Sequence, residues 1–136
     1  MTEVTGSCLC GALRYAVVGP LRPVSYCHCS QCRKTSGHYV AATACDREHL
    51  QLQNDEGLRW YRSSPGAERG FCGECGASLF WRPGRGREIS IMAGTLDPPT
   101  GLTAEEHIFV ADASDYYRID DGLPHFDAYP PESVDE

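Results

Sequence analysis

The sequence contains Cys8-Leu9-Cys10-Gly11 near its start and Cys72-Gly73-Glu74-Cys75-Gly76 beyond its middle. Each segment has two cysteines within a few residues and a glycine directly after the second. Tetrahedral Zn²⁺, bound at about 2.3 Å, needs closely spaced thiolates, and glycine tolerates the sharp backbone turn that this requires. We therefore predict one structural zinc ion that joins the first strand to a late hairpin, with the ligands Cys8, Cys10, Cys72 and Cys75.

A third cluster, Cys27-His28-Cys29-Ser30-Gln31-Cys32, has three cysteines within six residues. Three ligands leave one position of a tetrahedral zinc open, which is typical of zinc sites that take part in chemistry. We therefore predict a second, reactive zinc at Cys27, Cys29 and Cys32, and two Zn²⁺ per chain. Zinc held by thiolates alone is a soft site that favours a sulfur-bearing ligand.

Two histidines are candidates for the open position. His28 lies between alternating cysteines, so its side chain is expected on the opposite side of an extended segment, packed or supporting a ligand. His107, in a predicted late strand, is expected to be an ordinary hydrogen-bonded histidine. The eighth cysteine, Cys45, follows Ala41-Ala42-Thr43-Ala44 and fits a small core residue better than a ligand.

Short alternating segments, separated by Gly, Pro, Asn or Asp, predict a mainly β fold: a single small zinc-bearing domain of antiparallel sheets with few short helices. The predicted strands are Leu13–Val17, Val24–Tyr26, Tyr39–Thr43, Leu50–Gln53, Leu58–Arg62, Ser78–Trp81, Ile89–Met92 and Glu106–Val110. Residues 82–87 are predicted to form a hairpin loop. The helical signal is limited to residues 31–34, capped by Ser30, and to one turn over residues 46–49.

The length of 136 residues fits one domain, predicted over residues 1–128, with a frayed acidic tail over residues 129–136. The start lacks a basic segment followed by an apolar run, and no apolar stretch is long enough to span a membrane, so a cytoplasmic protein is expected. Eight cysteines without an export signal then favour metal binding over disulfides. The net charge of −7 argues against a nucleic-acid partner.

These motifs resemble the glutathione-dependent formaldehyde-activating enzyme (GFA) family. The matching segments run in the family's order and cover most of the chain: residues 6–11, 27–37, 71–76, 94–97, 107–110 and 123–126. The resemblance implies a mainly β zinc fold in which the four-cysteine set matches the structural ligands and the three-cysteine set matches the catalytic ones. One departure is Tyr116-Tyr117, where the family often has a tryptophan followed by an aromatic residue.

The family's reaction joins formaldehyde to glutathione to give S-hydroxymethylglutathione, and it is classed with the carbon–sulfur lyases. The resemblance thus implies a zinc-dependent lyase-like enzyme whose partner is a small thiol such as glutathione or its adduct. Arg33 and Lys34 are candidate anchors for the carboxylates of such a peptide; ordinary surface charge is the alternative. No proton-transfer residue is evident. Exposed β edges make a homodimer a further expectation.

Two other functions fit the cysteines. In a noncatalytic binding module both zinc ions are structural, and a partner or a fourth ligand closes the second site. In a thiol redox sensor, oxidation of Cys27, Cys29 and Cys32 ejects the metal. An exchangeable fourth ligand on the three-cysteine zinc would distinguish the enzyme from the binding module.

Overall fold

The computed structural model describes residues 3–131. In this part the chain forms ten β-strands, one short α-helix and three single 3-10 turns. The bounds are β1 (Glu3–Ser7), β2 (Arg14–Val18), β3 (Val24–Cys27), α1 (Ser30–Ser36), β4 (Val40–Asp46), β5 (Leu50–Asn54), β6 (Leu58–Ser64), β7 (Ala67–Cys72), β8 (Ser78–Pro83), β9 (Glu88–Met92) and β10 (Ala104–Ile108). The mainly β prediction is confirmed.

The strands form two sheets. One has the order β1-β2-β5, and the other has the order β10-β3-β4-β9-β8-β7-β6. Neighbouring strands are antiparallel apart from β10 and β3, which are parallel, with His107 opposite Tyr26 and Ile108 opposite Cys27. This pairing places the late strand β10 beside the segment that carries the three-cysteine cluster.

The main hydrophobic core includes side chains of both sheets. Tyr15 of β2 is fully buried, and its ring meets that of Phe80 on β8 edge-on, with centroids 5.4 Å apart. The Tyr15 hydroxyl forms a hydrogen bond of 2.7 Å with Thr95 Oγ1, so its polar end is satisfied. Burying a large apolar side chain contributes about 1.5–3 kcal/mol, and this shared core holds the two sheets together.

Several predicted boundaries differ from the observed ones. The strands β1 and β7 were not predicted, because Glu3–Ser7 and Ala67–Cys72 interrupt apolar alternation with charged residues or glycine. The last strand ends at Ile108, two residues before the predicted end, because Phe109 adopts a left-handed backbone with φ 56°. The predicted cap Ser30 is wrong: Cys29 is the N-cap residue of α1, and Ser30 is its first residue.

The end of the described chain contacts the body of the protein. The ring of Tyr129, at the start of the predicted tail, lies edge-on to Phe109 at 4.8 Å between centroids. Residues 132–136 of that predicted tail lie outside the described residues. Among residues 3–131, no helix has the length and apolar character that crossing a membrane would require.

Candidate metal centres

The four-cysteine cluster links the two sheets. Cys8 and Cys10 lie between β1 and β2, whereas Cys72 ends β7 and Cys75 follows it in the turn to β8. All four sulfur atoms lie within 4.8 Å of one another, with 3.7 Å between Cys8 and Cys10 and 3.8 Å between Cys10 and Cys72. Four thiolates bound tetrahedrally at 2.3 Å stand about 3.8 Å apart, so the cluster fits zinc.

The backbone around this cluster turns as the glycines predict. Gly11 and Gly76, each directly after a second cysteine, have left-handed φ angles of 86° and 84°. The amide of Glu74 donates a hydrogen bond to the Cys72 sulfur at 3.4 Å. This contact with the backbone helps to hold the Cys72 sulfur in place within the turn.

The sulfurs in this cluster influence one another's ionisation. Backbone hydrogen bonds at Ala77 and Cys10 lower the pKa of Cys75 to about 6. A backbone hydrogen bond at Ala12 lowers the pKa of Cys10, but desolvation and the neighbouring sulfurs outweigh it and raise this pKa to about 11. Thiols this close oppose each other's ionisation, and a bound dication is the chemistry that allows all four to be thiolates.

The three-cysteine cluster forms where β3 passes into α1. Cys27 is the last residue of β3. The Cys29 sulfur caps α1 by accepting a hydrogen bond from the Cys32 amide at 3.2 Å, and it lies 3.1 Å from the Cys32 sulfur. All three sulfurs lie within 4.8 Å of one another, so the donor set could hold a metal ion. Side-chain hydrogen bonds with Cys27 and Cys32 lower the pKa of Cys29 to about 2, whereas side-chain hydrogen bonds with Cys29 and Cys32 raise the pKa of Cys27.

Within the described part of the chain, this cluster has no fourth Cys, His, Asp or Glu ligand. Both ring nitrogens of His28 form hydrogen bonds away from the cysteines. Nδ1 bonds with the Tyr117 hydroxyl, and Nε2 bonds with His107 Nδ1 at 2.8 Å. His107 uses its second nitrogen, Nε2, with Asp121 Oδ2 at 2.8 Å. Both histidines are therefore hydrogen-bonded residues, in agreement with the sequence-based expectation, and neither offers a free ring nitrogen to the three cysteines.

These polar groups form one chain of hydrogen bonds in the order Tyr117, His28, His107 and Asp121, which is buried at the two histidines and exposed at Asp121. His28 and His107 are 1% and 2% exposed. Burial, with His107 and His38 nearby, lowers the pKa of His28 to about 4. The His107 hydrogen bond and the Leu123 amide lower the pKa of Asp121. The neutral imidazole and the carboxylate are thus the favoured forms.

The predicted anchors Arg33 and Lys34 differ in their surroundings. Lys34 is exposed, whereas Arg33 is half-buried, and its Nε atom is buried without a hydrogen-bond partner among the described residues. Arg69 on β7 is a further cation that the sequence did not single out. Its Nη2 donates to Gln31 Oε1 at 3.2 Å and lies 3.9 Å from the Cys32 sulfur. Since β7 itself was not predicted, no sequence signal placed Arg69 near α1.

A cavity of about 260 Å³ lies near the three-cysteine cluster, although none of the three cysteines lines it. Val40 and Met92, which line it, also pack in the small hydrophobic cluster that contains the cysteines. Arg69 and Thr35 contribute polar groups to the same wall. The cavity therefore has space for a small molecule, has a positive charge in its wall, and shares Val40 and Met92 with the surroundings of the cysteines.

The fold and its two cysteine clusters define a small, mainly β protein in which both clusters could hold a metal ion. The model of the glutathione-dependent formaldehyde-activating enzyme family matches residues 3–112, and the chain belongs to this family.

Named relatives agree with this membership. A Halomonas elongata protein named "Putative glutathione-dependent formaldehyde-activating enzyme" is 33% identical, over 96% of this chain and 91% of its own. A Schizosaccharomyces pombe protein named an uncharacterized lyase is 30% identical, over 86% of this chain and 85% of its own. The crystal structure of a Rhodobacter sphaeroides protein superimposes with a TM-score of 0.58 at 25% identity, covering 71% of this chain and 91% of that one. The names of the first two agree with the predicted lyase class.

Proposed function

We propose that the protein holds two Zn²⁺ ions and acts as a carbon–sulfur lyase-like enzyme on glutathione or a related thiol adduct. The observation that carries the proposal is the three-cysteine cluster: three sulfurs converge, and the described chain supplies no fourth Cys, His, Asp or Glu ligand. A nearby cavity shares Val40 and Met92 with the surroundings of these cysteines. The four-cysteine cluster would hold the structural ion. Family membership supports the class of substrate.

The three cysteines and a neighbouring arginine make the three-cysteine cluster suitable for a metal ion and an anionic substrate. When bound there, zinc would hold the substrate sulfur as a thiolate or polarise the hydroxymethyl oxygen. Cys27, Cys29 and Cys32 would hold the ion, and the last two are themselves held at the capped start of α1. The guanidinium of Arg69 beside Cys32 offsets part of the negative charge that three thiolates and a substrate sulfur bring together.

Two arginines make the site suitable for an anionic thiol. The Nε atoms of Arg33 and Arg69 are buried and have no hydrogen-bond partner among the described residues. A buried donor without an acceptor costs about 1–3 kcal/mol. The carboxylates of a glutathione-like peptide would supply these acceptors, and Lys34 at the exposed surface would add a long-range attraction.

The proposed reaction is reversible addition. In the forward direction the thiol sulfur forms a C–S bond to the carbonyl carbon of formaldehyde, the C=O π bond breaks, and the thiol proton ends on the new hydroxyl oxygen. The reverse step breaks the C–S bond and returns the proton to sulfur. No oxidant or reductant is needed.

We would test the proposal with metal analysis and exchange kinetics on the same preparation. The expected results are two zinc ions per chain, glutathione binding by calorimetry, and faster exchange between ¹³C-formaldehyde and S-hydroxymethylglutathione in NMR exchange spectra. The Cys29→Ser variant should keep one zinc and lose the acceleration. Glutathione binding without acceleration would favour the binding module. Loss of one zinc on mild peroxide treatment, restored by a thiol reductant, without glutathione binding, would favour the redox sensor.

A further inference from the structure

Another cavity, of about 280 Å³, has positively charged walls and contains no cysteine. It is lined by the three arginines Arg47, Arg62 and Arg82, by Glu68, and by two Pro-Gly segments at residues 65–66 and 83–84. None of the residues that line it also lines the cavity near the three-cysteine cluster. The proposed function therefore gives these charged groups no role.

The strand register places two of the arginines on either side of Glu68. Arg62 on β6 lies opposite Glu68 on β7, and Glu68 in turn lies opposite Arg82 on β8. Directly opposite residues of antiparallel strands project from the same face of a sheet. The three side chains therefore form one row across three neighbouring strands.

Arg47 joins this row from the turn between β4 and β5. Its Nη2 donates a hydrogen bond to the backbone carbonyl of Pro83, at the end of β8. A carbonyl holds the side chain in place without neutralising its charge. The acidic neighbours of Arg47 in the sequence, Asp46 and Glu48, both form ion pairs with Arg87 instead. Arg47 therefore contributes an uncompensated positive charge to the cavity.

The other two arginines differ in how firmly they are held. The guanidinium of Arg82 lies 3.6 Å from the centroid of the Trp60 ring, and its Nε and Nη2 both donate to Glu68 Oε1, at 3.0 and 2.9 Å. Arg62 is exposed and forms no hydrogen bond or ion pair with any residue between 3 and 131. Glu68 is the only carboxylate among the described residues that line the cavity, so the wall carries a charge of +2 in a chain whose net charge is −7.

Two glycines leave the backbone of this cavity uncovered. The Gly84 amide donates a hydrogen bond to the Gly66 carbonyl at 2.7 Å, which brings the two Pro-Gly segments together. Neither glycine has a left-handed φ, so the backbone conformation does not require them. A Cβ added at Gly66 would meet no atom within 4 Å, so packing does not require that glycine either. Glycine at such a position allows a ligand to approach the backbone closely.

We propose that this cavity binds a small phosphate ester, whose phosphate group is held by Arg47, Arg62 and Arg82. A phosphate monoester carries a charge of about −1.5 to −2 at pH 7, which matches the charge of the wall. Its three terminal oxygens can accept hydrogen bonds from three separate guanidinium groups, whereas a planar carboxylate pairs with a single arginine fork. The volume lies just below the range of about 300–1,000 Å³ that is usual for small-molecule pockets, so the ester is a small one. The site does not depend on the zinc chemistry.

Calorimetry on the zinc-loaded full chain at constant ionic strength tests the ligand class. The probes are glycerol 3-phosphate, inorganic phosphate, and succinate as a dianion that has only carboxylates. Glycerol 3-phosphate should bind most tightly, and succinate should bind at least about tenfold more weakly. Equal affinity for inorganic phosphate would overturn the assignment to an ester, and equal affinity for succinate would overturn the assignment to a phosphate group. Absence of binding by all three probes would overturn the site itself.

Two pairs of variants test the location. Arg62→Gln removes a guanidinium that holds nothing else, so the fold should be retained and the affinity for glycerol 3-phosphate should fall about tenfold. The matched control is Arg85→Gln: Arg85 is exposed in the loop after β8 and does not line the cavity, so the affinity should change less than about twofold. Equal losses in both variants would show general charge attraction and overturn the site.

The second pair leaves the charge unchanged. Gly66→Ala places a methyl group in the open space at the cavity and should weaken binding about fivefold or more. Gly94→Ala is the control, because a Cβ there also meets no atom within 4 Å but Gly94 does not line the cavity. Unchanged affinity in Gly66→Ala would overturn the placement of the ligand against this turn.

Discussion

The sulfur atoms of Cys10 and Cys72 lie 3.8 Å apart although 62 residues separate them in the sequence. Cys10 belongs to the segment between β1 and β2, whereas Cys72 ends β7 of the other sheet. The cluster therefore closes a long loop and connects two sheets that otherwise meet through the core. Closing such a loop is entropically unfavourable, and the free energy of metal binding at the cluster would offset this cost.

This connection predicts the effect of Cys10→Ser. Cys10 is exposed, so the substitution removes a ligand without disturbing the core. We expect zinc per chain to fall from two to one and the free energy of unfolding to fall by several kcal/mol, because structural zinc is coupled to folding. Elemental analysis measures the zinc content, and urea unfolding measures the free energy of unfolding. Cys45→Ala, at a buried cysteine outside both clusters, should keep two zinc ions; an equal zinc loss there would contradict the assignment.

The capping role of Cys29 predicts a difference between two substitutions at this position. Cys29→Ser and Cys29→Ala both remove a ligand sulfur, and each should leave one zinc per chain. Serine can still accept the Cys32 amide at the start of α1, whereas alanine cannot. The alanine variant should therefore be less stable by about 1 kcal/mol. Thermal unfolding of the two variants side by side checks this, and equal stabilities would show that the cap contributes nothing.

The left-handed backbone of Gly76 predicts a strain effect. A Cβ added at Gly76 would meet no atom within 4 Å, so only its φ of 84° opposes a side chain. Gly76→Ala should lower the free energy of unfolding by roughly 1–2 kcal/mol. Gly66 also has open space but no left-handed φ, so Gly66→Ala should change stability by less than about 0.5 kcal/mol. Matching losses at both positions would argue against backbone strain.

The contact between Arg69 and Cys32 predicts a loss of ligand affinity. Arg69→Gln removes the positive charge 3.9 Å from the sulfur and one unpartnered donor beside the cavity. Glutathione binding should weaken roughly tenfold or more, because a hydrogen bond to a charged group contributes about 1.5–3 kcal/mol. Calorimetry with zinc content held at two measures it. Arg62→Gln, an exposed arginine on β6, is the control, and a similar loss there would point to general charge attraction.

The features that depend on short sequence patterns, namely the cysteine clusters and most of the strands, could be predicted from the sequence. Cysteine spacing predicted both clusters, with the glycines after Cys10 and Cys75 as a further signal for the four-cysteine set. The alternating segments predicted most strands, because these patterns act over a few residues. The strand β7 was missed since Glu68, Arg69 and Gly70 break its alternation. The reason for the glycine in β7 is visible only in the folded sheet. Gly70 lies against the Trp60 ring there, and a Cβ added at Gly70 would come within 3.0 Å of that ring.

The sequence by itself determined the donor set of each cysteine cluster, the mainly β character and the family resemblance, since each depends on which residues are present and how they are spaced. Only the tertiary structure decided that Arg69 reaches Cys32 and that His28, His107 and Asp121 form one chain with Tyr117. Most of these contacts join residues that are 37 to 89 positions apart in the sequence. The contact between His107 and Asp121 brings a loop against strand β10. Long-range pairing of strands such as β10 with β3 creates them, and no local pattern encodes that pairing.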